Sequence, residues 1–126
     1  MGWLIYDFTD EHGASVIGEW IRKEKIGTAD VAALKQKISL LKQYGADLPS
    51  GLLAGPIHKS IYKLRINTQE RAMRPLLCKG PINKDQEFTL LLGACEIDSK
   101  LPDGAVEEAD SNRSILIANP NRRWKR

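Results

Sequence analysis

The segment Ser60–Leu77 places four cations in two short apolar runs. Lys63 and Arg65 lie in the first run, and Arg71 and Arg74 lie in the second. A guanidinium group can bind phosphate through two parallel hydrogen bonds, and it keeps its charge at any physiological pH. If the two runs form a hairpin, repulsion among the gathered cations favours an anionic partner. The segment therefore predicts an anion-binding site.

The charged residues are segregated along the 126-residue chain, although its formal net charge is only +3. Residues 57–84 carry seven Lys and Arg against one Glu, and residues 85–112 carry eight Asp and Glu against one Lys. The last fourteen residues carry five cations and no acidic side chain. Runs of charge often serve only as solvated faces, but this segregation favours a localised contact with nucleic acid.

Other kinds of chemistry lack a motif in this sequence. His12 and His58 are far apart, and Cys78 and Cys95 are not spaced as zinc ligands, so we expect no metal site. No glycine-rich phosphate loop follows a predicted strand. The chain begins without a basic segment and cleavage site, and no apolar run reaches the roughly 18 residues of a membrane span. We expect a cytoplasmic protein with no membrane partner.

The elements that must position the cations follow from the hydrophobic period. Residues 3–8 form a short apolar run typical of a strand, and two helical stripes follow. From Ile57 the period changes to two, which predicts strands. The segment 87–97 is apolar on both faces, as expected of a central strand covered on both sides. The predicted order is β-α-α-β-β-β-α, a single α+β domain over residues 1–126 with helices packed on a small antiparallel sheet.

Two details of the strand predictions affect the candidate site. Tyr62 lies on the predicted core face of its strand, which favours a structural role. Arg71 and Arg74 are three positions apart and should point to opposite faces of a regular strand. Pro75 interrupts that strand, however, and indicates an edge, a bulge or a bend that could redirect Arg74.

Four short motifs follow one another from Val31 onward: "YKLR" at Tyr62–Arg65, "RAMR" at Arg71–Arg74, "LLLGACEIDSKLP" at Leu90–Pro102 and "AVEEAD" at the start of the last helix. In these motifs and their order the sequence resembles the RelE/HigB superfamily of toxins from toxin–antitoxin systems, in particular its phage-derived HigB-like branch. The resemblance implies a compact RelE-like fold. It also implies an endoribonuclease that cuts mRNA on the ribosome and is neutralised by an antitoxin protein with a DNA-binding helix-turn-helix domain.

The family's reaction requires no metal or cofactor, because the 2′-hydroxyl of the RNA attacks the adjacent phosphate. The resemblance assigns Arg65, Arg71 and Arg74 to phosphate binding and transition-state stabilisation. Lys100, which matches the lysine before the family's proline, is assigned to phosphate contact or proton donation. Lys59 and Lys63, on the same cationic strand, are predicted to bind RNA.

The sequence departs from the family pattern at one segment. Glu96 and Ile97 lie where the family usually has two adjacent lysines, Asp98 follows them, and Leu92 lies where the family often has histidine. Acidic residues weaken an RNA site by repelling phosphates. An alternative is therefore a non-catalytic RelE-fold regulator of phage or mobile-element origin, which binds RNA or a protein. A third is an unrelated α+β domain.

Residues 119–126 form a basic tail with a second potential RNA surface. Trp124 is surrounded by four cations, Arg122, Arg123, Lys125 and Arg126. Cations beside an aromatic ring suit the backbone and bases of single-stranded RNA. The other interpretation is a loose basic terminus.

Overall fold

The structure, a computed structural model, describes residues 2–126; residue 1, the first of the predicted domain, lies outside them. Within these residues, three α-helices and nine strands confirm the α+β class. The helices are α1 (Val16–Lys23), α2 (Thr28–Tyr44) and α3 (Ala105–Ala118). The strands are β1 (Leu4–Phe8), β2 (Leu53–His58), β3 (Ile61–Leu64), β4 (Ile66–Asn67), β5 (Ala72–Met73), β6 (Leu76–Lys79), β7 (Glu87–Leu92), β8 (Cys95–Glu96) and β9 (Arg123–Lys125).

Six strands form one sheet in the order β2-β3-β6-β7-β1-β9, and β4, β5 and β8 form a second, small one. The larger sheet is mixed rather than antiparallel, because β1 runs parallel to β7. The predicted order contains four strands, whereas the structure has nine among the described residues. The strands predicted from Ile57 onward are each interrupted, and the tail adds β9, which pairs antiparallel with β1.

The interruption at Pro75 shapes the region that carries the arginines. The predicted strand 71–79 is divided into β5, in the small sheet, and β6, in the middle of the large one. The backbone N–H of Arg74 donates to the Ala94 carbonyl at 2.7 Å, and the Pro75 carbonyl accepts from Leu64. The chain therefore bends at Pro75 and is not an edge there. The bend turns Arg74 into the protein.

The large sheet is covered on both faces, as predicted for its central strand. Phe88 and Leu90 of β7 are fully buried in a core built with α1 and α2. Leu91 is fully buried in a second core that packs against α3. Tyr62 packs against the first core, with its ring edge-on to Phe88 at 6.4 Å between centroids, so its predicted placement on the core face is confirmed.

One glycine permits a close approach of α1 to the end of β7. A Cβ added to Gly93 would lie 2.1 Å from the Trp20 ring, far inside van der Waals contact. Trp20 belongs to the core under α1 and α2. Gly93 thus allows the helix to pack directly over the segment that leads from β7 to Glu96.

Candidate nucleic-acid interface

Arg74 is buried, with 4% of its surface exposed. Its Nε donates to Glu96 Oε1 at 2.9 Å. Nη1 donates to the Met73 carbonyl at 2.7 Å, and Nη2 donates to Asn67 Oδ1 at 2.8 Å. Every nitrogen of the guanidinium group therefore has an acceptor within the protein, and little of the Arg74 side chain is open to a substrate.

Glu96, on β8, is held between two cations. Its Oε2 accepts from Lys63 Nζ at 2.9 Å, while its Oε1 accepts from Arg74. We call Lys63, Arg74 and Glu96 the Glu96 cluster. Burial acts to raise the pKa of the Glu96 carboxyl, but the hydrogen bond from Lys63 and the charges of Arg74 and Lys63 outweigh it, and the pKa is lowered. Glu96 therefore lies between these two cations as a carboxylate.

Arg71 fastens β5 to the helices rather than to the Glu96 cluster. Its Nη2 donates to the carbonyl of Glu24, at the end of α1, at 2.9 Å. Its Nε lies 3.7 Å from Oδ2 of Asp30, a buried carboxylate in the first turn of α2. Arg71 therefore links β5 to α1 and α2, although it also lines an open cleft.

That cleft, of about 380 Å³, is lined on one side by the polypeptide from Glu70 to Ala72 and on the other by Gly93 to Ile97. We call it the Arg71 cleft. Its charged lining consists of one guanidinium, that of Arg71, and three carboxylates, those of Glu24, Glu70 and Glu96. A phosphate that entered the cleft would therefore meet more negative than positive charge.

Arg65 and Lys100 are less engaged by the protein. Arg65 follows β3, and its Nε is buried but has no hydrogen-bond acceptor among residues 2–126. Lys100 is exposed in the turn after β8, where its backbone pairs with Ile97. Neither cation forms an ion pair with a carboxylate in the described part of the chain. Of the four predicted catalytic residues, these two are the cations free of a carboxylate.

Three arginines of the tail are used to attach β9 to the sheet. Each donates to an acceptor on β1, directly after it, or on β7, so the tail is an ordered edge strand rather than a loose terminus. Two of them also stack on aromatic rings of β1. The acceptors are the Thr9 carbonyl for Arg122 at 3.0 Å, Glu87 Oε1 for Arg123 at 3.0 Å and Asp7 Oδ1 for Arg126 at 2.6 Å.

The other predicted RNA-binding residues remain on the surface. Trp124 is 57% exposed, and Lys125 beside it is also exposed. Lys59, at the β2–β3 turn, is 66% exposed and lies 3.3 Å from Oδ2 of Asp110 on α3. The exposed pair on β9 can stack on a base and contact a phosphate, while Lys59 is partly neutralised.

Three further cations, which no sequence motif singled out, surround a second cavity. The cavity measures about 160 Å³ and is lined by Ser60, Tyr62, Lys79, Lys84 and Arg113. We call these five residues the Arg113 pocket. Lys79 and Lys84 belong to the cationic block 57–84, but only the fold brings Arg113 of α3 to them. No local pattern in the sequence could have indicated this meeting.

In residues 2–126 no helix combines the length and apolar character of a bilayer span. The same residues contain no group of three or more His, Cys, Asp or Glu side chains placed to hold a metal ion. Comparisons of the chain with protein-family models, with curated proteins and with solved structures found no match in any of the three. The resemblance to RelE/HigB toxins therefore rests on the quoted motifs and stays a prediction.

Proposed function

We propose that this protein is a RelE/HigB-type toxin of a toxin–antitoxin system, an endoribonuclease that cuts mRNA on the ribosome in the cytoplasm. The observation that carries the proposal is the convergence of two cations on one oxyanion. Lys63 of β3 and Arg74 after β5 each donate at 2.9 Å to a different oxygen of Glu96. A phosphate group presents oxygens that the same two donors could bind. An antitoxin protein with a helix-turn-helix domain would be the partner.

In the proposed reaction, the 2′-hydroxyl of the mRNA attacks the adjacent phosphate and the bond to the 5′-oxygen breaks. Negative charge grows on the phosphate oxygens, and Arg65 and Arg71 would stabilise it. Lys100 is exposed, and its backbone pairs with that of Ile97, which lines the Arg71 cleft. Its side chain would protonate the departing 5′-oxygen. Arg74 would contribute only after the phosphate had taken the place of Glu96.

A non-catalytic regulator that binds RNA or a protein is the second candidate. The observation that favours it is Glu96 itself, which already neutralises Lys63 and Arg74. With Glu24 and Glu70 it also gives the Arg71 cleft an excess of negative charge. A site built in this way would hold substrate phosphates weakly, and the chain would keep its fold while losing the chemistry.

Induced expression in a bacterial host, with primer extension on a reporter mRNA, tests the two candidates. We expect the wild type to arrest growth and to leave discrete cuts in translated regions. The double variant Arg65→Ala/Lys100→Ala should do neither, because both cations would be lost from the reacting phosphate. Lys35→Ala, at an exposed position of α2, is the control for removal of a surface cation.

The wild type and the variants are compared at equal levels of soluble protein. Normal growth with intact mRNA from well-expressed wild type would contradict the endonuclease. Growth arrest that Arg65→Ala/Lys100→Ala leaves at full strength would instead show that the assigned residues are wrong.

A further inference from the structure

The Arg113 pocket is separate from the Arg71 cleft, because the two share no lining residue. Its three cations also lack carboxylate partners of the kind that Lys63, Arg71 and Arg74 have. Among residues 2–126, no carboxylate lies within ion-pair distance of Lys79, Lys84 or Arg113. Asp110, one turn before Arg113 on α3, is paired with Lys59 instead. Three like charges around one cavity without a counterion favour an anionic ligand.

The pocket also offers neutral donors. Ser60 and Tyr62 line it with hydroxyl groups that have no hydrogen-bond partner in the described part of the chain, although neither oxygen is sealed from solvent. Arg113 adds a planar fork that matches two oxygens of a tetrahedral anion. The donors are therefore of the kind that bind a phosphoryl group.

Two of the lining residues, Tyr62 and Lys79, are held in place before any ligand arrives. The Tyr62 ring is packed edge-on against Phe88, and Lys79 Nζ lies over it at 5.6 Å from its centroid. Lys84 is exposed in the β6–β7 loop, and the start of this loop is fixed by the buried hydroxyl of Thr89 on β7, which donates to the Gly80 carbonyl at 2.8 Å. Such anchoring lowers the entropic cost of gathering donors around a ligand.

The volume limits the ligand. A cavity of about 160 Å³ is many times the roughly 10–15 Å³ that one water needs, so one phosphoryl group fits. It is well below the roughly 300–1,000 Å³ of pockets that enclose whole small molecules. The pocket can therefore enclose a phosphate but not the sugar and base attached to it.

We infer that the Arg113 pocket binds the phosphate of a phosphomonoester, either at the 5′ end of an RNA or on a free nucleotide. Three cations suit the dianionic phosphate of a monoester better than the single charge of a phosphodiester linkage. Because the base would lie outside, recognition would be independent of its identity. This inference does not depend on mRNA cleavage, since it concerns binding at a different site.

Fluorescence anisotropy of the full chain with a short single-stranded RNA, carrying either a 5′-phosphate or a 5′-hydroxyl, tests the inference. We expect the 5′-phosphate form to bind about tenfold more tightly, which is the lower end for one charge-assisted hydrogen bond. Lys84→Ala, at an exposed loop position that tolerates substitution, should remove this preference. Lys35→Ala removes the same charge from α2 and should keep it.

Competition with inorganic phosphate and with a nucleoside monophosphate shows whether the bound phosphate belongs to the 5′ end of an RNA or to a free nucleotide. If they compete at the pocket and Lys84→Ala abolishes the competition, while RNA shows no preference for a 5′-phosphate, the ligand is a free phosphomonoester. The inference is overturned if both RNA forms bind equally and neither small anion binds. It is also overturned if Lys84→Ala and Lys35→Ala change phosphate binding to the same extent.

Discussion

The Glu96 cluster and the Arg113 pocket both gather cations from the same block of sequence, but they differ in what the fold supplies as a partner. In the Glu96 cluster, one carboxylate accepts from Lys63 and Arg74 at 2.9 Å each. In the Arg113 pocket, within the described residues, the cations face hydroxyl groups and a cavity instead. The difference shows that a count of Lys and Arg does not measure the positive charge available to a ligand. Carboxylates that are remote in sequence can pair with these cations in the fold and neutralise part of their charge.

The strongest test of this contrast is removal of Arg74. We expect Arg74→Met to lower the free energy of unfolding by about 3–5 kcal/mol, because Glu96 Oε1, the Met73 carbonyl and Asn67 Oδ1 all lose their donor. Urea denaturation measures the change. Arg22→Met, which removes an exposed arginine paired with Glu19 on α1, should cost at most about 1 kcal/mol. Equal losses in the two variants would mean that the Glu96 cluster is no tighter than a surface ion pair.

The pH dependence of stability sharpens the same comparison. The pKa of Glu96 is lowered in the folded protein, so its ion pairs stabilise the fold above the ordinary value of 4.5 and the contribution is lost as pH falls through the folded pKa. We expect the wild type to be more stable than Glu96→Gln near neutral pH. The gap should narrow steadily below about pH 4.5 in urea denaturation series. A gap that stays constant with pH would show that Glu96 acts by packing rather than by charge.

The smallest effect is expected at Lys59, whose partner Asp110 lies at the surface of α3. Lys59→Ala should change the free energy of unfolding by less than about 1 kcal/mol, because solvent screens a pair whose lysine is 66% exposed. Thermal denaturation at low and high salt measures it. A loss as large as that of Arg74→Met would contradict the distinction between exposed and buried cations.

Local pattern was sufficient for several elements of the fold. The apolar segment 87–97 predicted a strand covered on both faces, and Phe88, Leu90 and Leu91 of β7 confirm it. Pro75 predicted an interruption, and the chain bends there. These features depend on hydrophobic period or on a single backbone restriction, both of which are visible within a few residues.

The partners of the cations could not be predicted in this way. Glu96 lies 22 residues from Arg74 and 33 from Lys63, and no periodicity links them. The family resemblance drew attention to Glu96 as a departure, but the carboxylate's position between two cations depends on β8 pairing with β5. The Arg113 pocket likewise required α3 to return to β3 and β6. The catalytic assignments of Arg65, Arg71, Arg74 and Lys100 stay predictions.

The position of β1 in the sheet has a consequence for synthesis. β1 is synthesised before both of its neighbours: β7 begins about eighty residues later, and β9 is followed by Arg126, which donates to Asp7 across 119 positions. On the ribosome, β1 therefore has neither of its pairing strands until β7 has emerged. An unpaired strand with an apolar face is prone to join the edge of another molecule. Completion of the sheet by β9 removes that risk only after the segment Arg123–Lys125 has also been translated.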